Sequence, residues 1–210
     1  MRNRSENQIT LVLIRHGATK ANEEKRYLGR ADESLTEEGK KELSEYRASE
    51  YYPAIDCLFA SPMKRCMETA AILYPDLQPV PVPEWEEMDF GTFEGRNYTE
   101  LQGDVRYQAW IDSNGTLPFP EGESREDFIR RCVCGFQRMA VEIKKFAEEV
   151  KTVGMIVHGG TIMALLSRYG GGDYFDYQAA NGKGYVCICK GGNSQPEFMQ
   201  IRKIWQEEGL

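Results

Sequence analysis

The chain has 210 residues, 41% of them hydrophobic and 28% charged, with a formal net charge of −7. That length suits one sizeable domain, or one domain with a small insertion, and the composition is that of an ordinary globular protein. The acidic balance argues against a general nucleic-acid binder, which carries a basic surface; an anionic substrate remains compatible if arginines form a local positive island.

The first eight residues are polar and charged, and the apolar run Leu11–Ile14 is too short for a signal-peptide core and meets Arg15 at once. No segment is long enough to span a bilayer. The expectation is a cytoplasmic protein with no membrane partner. Strand-like runs recur at 9–14, 56–60, 153–157, 185–189 and 197–201, with helix-like stretches between them. Thr36 is a plausible N-cap, with Glu37 and Glu38 in the first turn of a helix running to about Glu50. Pro62 marks the start of another, which carries Arg65 and Thr69 and ends before Pro75.

Residues 76–123 differ in texture, with five of the nine prolines and two of the three tryptophans. Their weak periodicity predicts a loop-rich cap excursion over the active face, with one short helix near 99–111. Ser124 to Asp127 reads as a capping box with Asp in place of Glu. Phe128, Ile129, Cys132, Phe136, Met139, Ala140, Ile143, Phe146, Ala147 and Val150 follow at spacings of three and four, one apolar face that should lie along a sheet. A further helix is expected from Thr161 to about Tyr169. The runs at 185–189 and 197–201, joined by Lys190-Gly191-Gly192-Asn193, predict a hairpin. Alternating strands and helices then predict an α/β chain, a single domain over 1–210. Its architecture is a three-layer α/β/α sandwich with a mixed, mostly parallel central sheet.

The six cysteines are Cys57, Cys66, Cys132, Cys134, Cys187 and Cys189. No C-x-x-C pair occurs, and the histidines are not spaced around them as zinc ligands would be. Reduced, mostly buried thiols are expected, with Cys187 and Cys189 on one face of a strand.

The chain has two histidines, and each ends an apolar run: Leu11-Val-Leu-Ile-Arg15-His16-Gly17 and Val153-Gly-Met-Ile-Val157-His158-Gly159-Gly160. A strand that ends in polar residues and turns at glycine is ordinary. Two that do so with histidine suggest one shared site, because ligands bind at the carboxyl ends of parallel strands. The glycines let backbone N–H groups approach an anion at a helix N-terminus. Arg65 falls just after a third strand-like run, where its planar fork could hold two phosphate oxygens. Glu86, Glu87, Asp89 and Glu94 form an acidic cluster beside Trp85, Phe90 and Phe93. Aromatic neighbours could desolvate one carboxyl and raise its pKa, as a general acid requires, but nothing in the sequence separates the four.

The ordered set Arg15-His16-Gly17-Ala18-Thr19 with Asn22; Tyr27-Leu28-Gly29 with Asp32, Leu35-Thr36 and Gly39; Ser61-Pro62-x-x-Arg65 with Thr69-Ala70; Glu87-Met88-Asp89-Phe90-Gly91-x-Phe93-Glu94-Gly95; Pro120-x-Gly122-Glu123-Ser124; and Val157-His158-Gly159-Gly160 resembles the histidine phosphatase superfamily, phosphoglycerate mutase-like branch. The Glu87–Gly95 and Pro120–Ser124 strings look most like the α-ribazole phosphatase group. Ser34, Phe93 and Trp85 stand where the family usually has Pro, Trp and Leu; the last two are expected to reshape the pocket.

The resemblance implies a phosphomonoesterase working through a phosphohistidine intermediate, with no metal and no cofactor. It makes His16 the nucleophile and Glu87 the proton donor to the leaving oxygen. Arg15, Arg65 and His158 would surround the transferring phosphoryl group, with Gly17, Asn22 and Gly159 also binding substrate. The partner would be a small phosphomonoester, α-ribazole 5′-phosphate among the candidates, with the oligomeric state open. Competing readings are a cofactor-dependent phosphoglycerate mutase, a non-catalytic phosphate-binding protein, and a histidine-ligated metal hydrolase. Arg15 and Arg65 would repel a divalent cation from that last site.

Overall fold

The computed structural model describes residues 8–145, 150–191 and 196–204. Phe146 and Ala147 of the expected helical face, and Gly192-Asn193 of the expected turn, lie outside them. Six strands make one sheet: β1 (Ile9–Arg15), β2 (Cys57–Ala60), β3 (Val80–Pro81), β4 (Thr152–Val157), β5 (Gly184–Lys190) and β6 (Glu197–Lys203). Their spatial order is β3-β2-β4-β1-β5-β6. The pairs β1–β4, β2–β4 and β2–β3 are parallel, and β1–β5 and β5–β6 antiparallel. The sheet is therefore mixed and mostly parallel, as expected.

The helices are α1 (Lys20–Glu23), α2 (Glu37–Ala48), α3 (Lys64–Leu73), α4 (Val105–Asp112), α5 (Arg125–Lys144) and α6 (Gly159–Gly170). Alternation along the strands sorts them into layers. Leu11, Leu13, Met155 and Val157 point to the face holding Phe128, Phe136 and Met139 of α5 and Ile162, Leu165 and Leu166 of α6. Val12, Ile14, Leu58 and Ile156 point the other way, to Leu43 of α2 and Cys66, Ala70 and Leu73 of α3. Each fully buried Leu, Ile or Phe here stabilises the fold by about 1.5–3 kcal/mol through removal of apolar surface from water.

Four local expectations change. Val80–Pro81 forms a parallel edge strand on β2, too short to show a period. The helix of the 76–123 stretch is α4, which starts only at Val105, after Asp104 caps it through the Arg106 N–H. Ser124 does accept from the Asp127 N–H at 3.0 Å, but the Asp127 carboxylate takes the Ser124 hydroxyl and Arg130 instead of completing a reciprocal box. Asp is one methylene shorter than the Glu of that motif. A reciprocal box forms at Thr19, whose partner is Asn22. Finally, α6 begins at Gly159, two residues earlier than expected, so His158 is its N-cap.

All six cysteines are free, and Cys187 and Cys189 lie in one apolar cluster with Leu11 and Leu13. No helix among the described residues is long and apolar enough to cross a membrane.

Trp85 and Phe93 are fully buried. Trp85 packs on Gly135 of α5 and donates its indole N–H to the Cys132 carbonyl at 3.2 Å. They belong to the wall behind the pocket and do not line it. Trp85→Ala should therefore lower stability by about 3–5 kcal/mol, read as a fall in the urea midpoint.

Candidate active site

The register of the central strands assembles the site. Arg15 lies opposite Val157, and Ala60 opposite Ile156. His16, His158 and Ser61 therefore leave the sheet side by side, at the carboxyl ends of three adjacent parallel strands. The His16 N–H bonds the Val157 carbonyl and the Ser61 N–H the Ile156 carbonyl, each at 3.0 Å. The two imidazoles meet edge to face, with centroids 5.2 Å apart.

His16 is buried, and its Nδ1 sits 2.7 Å from the Gly17 carbonyl oxygen. A carbonyl only accepts, so Nδ1 carries the proton and Nε2 keeps its lone pair. Burial holds its pKa well below the usual imidazole value, with the Arg65 and Arg15 charges adding to the effect. His158 is also neutral, for the same reasons in the same order: burial, then Arg65. Its Nδ1 accepts from Arg65 Nε at 3.4 Å, so Nε2 carries the proton and donates to Ser61 Oγ at 2.9 Å.

Arg65 is fully buried in the first turn of α3. Its Nη1 and Nη2 donate to the carbonyls of Ala31 and Gly29 at 2.8 and 2.9 Å. Arg15 donates from Nη1 to the Ala179 carbonyl at 2.8 Å, while its buried Nε has no partner in the protein. Neither arginine forms an ion pair among the described residues. The site is a positive island on an acidic body.

The structure separates the four carboxylates. Glu94 accepts from the N–H groups of Gly29, Arg30 and Phe90. Asp89 is tied to Gly91 and to Arg30. Glu86 is absent from the cavity wall, whereas Glu87 lines it. Burial raises the Glu87 pKa against the pull of the Met88 N–H and of Arg65, Arg15 and Arg131. Arg131 holds this segment in place. It grips the Glu123 carboxylate through Nε and Nη2, and its Nη1 donates to the carbonyls of Glu84 and Glu86 at 2.9 and 2.8 Å.

Gly159 lies against Arg15, and a Cβ there would make only ordinary contact with it. Its N–H falls in the first turn of α6, where backbone donors have no intrahelical partner. Gly17 is differently placed from the expectation of substrate contact. Its N–H goes to Thr69 Oγ1 at 2.9 Å and its carbonyl to His16 and Asn181, so its backbone serves the scaffold. Asn22 Oδ1 accepts from the Thr19 N–H and from Asn181 Nδ2 at 3.0 Å.

Several participants carry no signal in sequence. Asn181 ties the carbonyls of His16 and Gly17 to Asn22. Tyr174, Phe175, Gln178 and Ala179 close one wall, and Trp110, Phe119 and Arg125 another, around a cavity of about 270 Å3. This cavity ends at Arg15 and Glu87, with His16, Arg65 and His158 buried beyond them. No group of three or more potential metal ligands exists among the described residues.

An α/β sheet that brings to its carboxyl edge a neutral imidazole, two arginines with no ion pair among the described residues and a carboxyl whose pKa burial raises defines an enzyme of phosphate-ester chemistry. Residues 11–199 match the family model of the histidine phosphatase superfamily, branch 1, and the chain belongs to that superfamily and to its phosphatases. The adenosylcobalamin/alpha-ribazole phosphatase of Escherichia coli K12 is 31% identical over 165 residues, covering 76% of this chain and 78% of the relative. A broad-specificity phosphatase of Saccharomyces cerevisiae is 29% identical over 173 residues, 78% of this chain and 71% of the relative. The crystal structure of the alpha-ribazole phosphatase from Shigella flexneri has a TM-score of 0.71 at 23% identity, over 90% of this chain and 94% of that one, a likeness of fold.

Two outcomes follow. His16 and His158 are the chain's two imidazoles, so a ring-proton NMR spectrum holds two Cε1 signals. Both should keep neutral-form shifts at about pH 6.5, where a free imidazole is half protonated. At Gly160, an added Cβ would sit 2.6 Å from Glu87 Oε1 and 3.1 Å from Phe128. Gly160→Ala should still fold, since Ala suits a helix better by about 1 kcal/mol, yet displace Glu87. Turnover of alkyl phosphates should fall by about 10²-fold, with hydrolysis of 4-nitrophenyl phosphate much less affected.

Proposed function

We propose that the protein hydrolyses a small phosphomonoester through a phosphohistidine formed on Nε2 of His16. The observation that carries this reading is the His16 ring itself: Nδ1 committed to the Gly17 carbonyl, Nε2 unprotonated, and burial beside two arginines keeping it so. A neutral imidazole is the form that can attack phosphorus.

In the first step the Nε2 lone pair forms the N–P bond as the P–O ester bond breaks. Glu87, whose pKa burial raises, gives its proton to the departing oxygen. Arg15, Arg65 and His158 stabilise the charge spread over the equatorial oxygens. The first-turn N–H of Gly159 and the Nδ2 donor of Asn22 complete the hold on phosphate. In the second step Glu87, now a carboxylate, takes a proton from water, which attacks phosphorus. The N–P bond breaks, and inorganic phosphate and neutral His16 are released.

The E. coli relative's name makes α-ribazole 5′-phosphate the first compound to assay in a panel of phosphomonoesters. A 2,3-bisphosphoglycerate-dependent phosphoglycerate mutase of Cytophaga hutchinsonii is 29% identical over 164 residues. The aromatic wall of Phe90, Trp110, Phe119 and Phe175 favours hydrolysis of an ester with a flat, ring-bearing body over transfer between phosphoglycerates. Free cysteines throughout support a reducing, cytoplasmic setting, and the net charge supports a small-molecule partner over nucleic acid.

His16→Ala should abolish turnover of every ester and leave no acid-labile phosphoenzyme after brief incubation with labelled substrate. Glu87→Gln should still form the phosphoenzyme from 4-nitrophenyl phosphate, whose leaving group needs little protonation. On alkyl phosphates it should lose about 10²–10⁴-fold, and with it the alkaline limb of the pH profile. A His16→Ala protein with near-normal activity overturns the mechanism.

A further inference from the structure

We propose, on the basis of the phosphatase reading, that the leaving group is a compact aromatic ring bearing a second anion, and that Arg125 binds that anion. The cavity of about 270 Å3 has a polar end at Arg15, Glu87, Gly159 and Gly160. That volume falls just below the usual range for small-molecule sites, roughly 300–1,000 Å3, and suits one or two rings rather than a protein segment. Much of the remaining wall is aromatic: Tyr27, Phe90, Trp110, Phe119, Tyr174 and Phe175. Flat faces and ring edges in this density recognise a flat apolar body, through stacking and edge contacts that an aliphatic chain does not make.

One cation lies in this wall away from the phosphate end. Arg125 is partly buried and forms no ion pair among the described residues. The acidic residues that follow it, Glu126 and Asp127, pair with Arg130 instead. Its Nη1 reaches the Asn114 carbonyl at 3.4 Å, and its Cζ sits 5.4 and 5.7 Å from the ring centres of Tyr174 and Phe175. The aromatic faces hold the guanidinium in place without neutralising it. Its free donors keep the planar fork that matches a carboxylate or phosphate.

Tyr174 sets the spacing. Its ring lies under Arg125, and its hydroxyl is 3.5 Å from the Gly160 carbonyl; Gly160 in turn abuts Glu87. Tyr174 thus bridges from Arg125 to the Gly160 backbone beside Glu87. A ring seated along this wall with its ester oxygen at Glu87 brings a substituent on its far side to Arg125.

The test measures binding by calorimetry with non-hydrolysable probes, so it does not depend on turnover. Benzylphosphonate and 4-carboxybenzylphosphonate are compared on the wild type, Arg125→Gln and Arg125→Lys. The carboxylate should tighten binding to the wild type tenfold or more, the effect of one charge-assisted hydrogen bond. Arg125→Gln should erase the ratio, and Arg125→Lys should keep part of it. Equal affinities in the wild type, or a preference that survives Arg125→Gln, overturn the assignment of Arg125. A carboxyalkylphosphonate of matched length that binds as tightly overturns the aromatic part. Hydrolysis of 4-nitrophenyl phosphate, assayed in parallel, reports on the phosphatase reading separately. Selective binding without hydrolysis sinks that reading alone, and hydrolysis without selectivity sinks this inference alone.

Discussion

Burying guanidinium charge without a carboxylate partner is the constraint from which the rest of the site follows. Desolvating an ion costs several kcal/mol even after relaxation, and proteins usually answer with an opposite charge. Here Arg65 is met by two carbonyls and a neutral imidazole, and Arg15 by one carbonyl. The positive potential that results acts on every titratable neighbour. It adds to burial in keeping both imidazoles unprotonated. It also works against burial at Glu87, whose raised pKa is the net of the two. A phosphate dianion is the ligand that such a field favours most.

Such a field is useful only if its sources do not move, and the fold supplies rigidity through backbone bonds to the sheet. His16 is held at both ends of its own peptide. Its N–H is bound by β4, and its carbonyl by Gly182 and by Asn181. Thr69, one helical turn beyond Arg65, takes the Gly17 N–H and returns its own hydroxyl proton to the Arg65 carbonyl. The strand that leads into His16 and the helix that carries Arg65 are thus joined through one hydroxyl. On the opposite side, the Arg131–Glu123 pair fastens the Glu87 segment to α5. The site's side chains, from four separated stretches of chain, acquire fixed mutual positions in this way.

Much of this is legible in sequence, and the exceptions have physical causes. The strands and α5 announce themselves because burial imposes a period on them. His16, His158 and Arg65 are conspicuous because they follow such runs. Val80–Pro81 pairs over only two residues, too few to leave a pattern. Asn181 and Ala179 act through an amide and a carbonyl on a segment without periodicity, and their partners lie more than 150 residues earlier. The choice of Glu87 over its neighbours depends on which carboxylates are already engaged by Arg30 or by the N–H groups of Gly29 and Gly91. All but the Asp89–Gly91 contact join distant segments, which no local reading supplies. Likewise, Trp85 and Phe93 attract notice as departures from a motif, yet their side chains turn into the core.

The position of β1 has a consequence for how the protein is made. This strand is made before the other five, yet both of its sheet neighbours, β4 and β5, lie beyond residue 150. At synthesis rates of about 5–20 residues per second, an apolar run of Leu11 to Ile14 waits on the order of ten seconds for a partner strand. His16, at its end, is thus translated well before the strands that fix its position. A nascent chain arrested short of β4 would display an unpaired apolar strand, a natural target for chaperones.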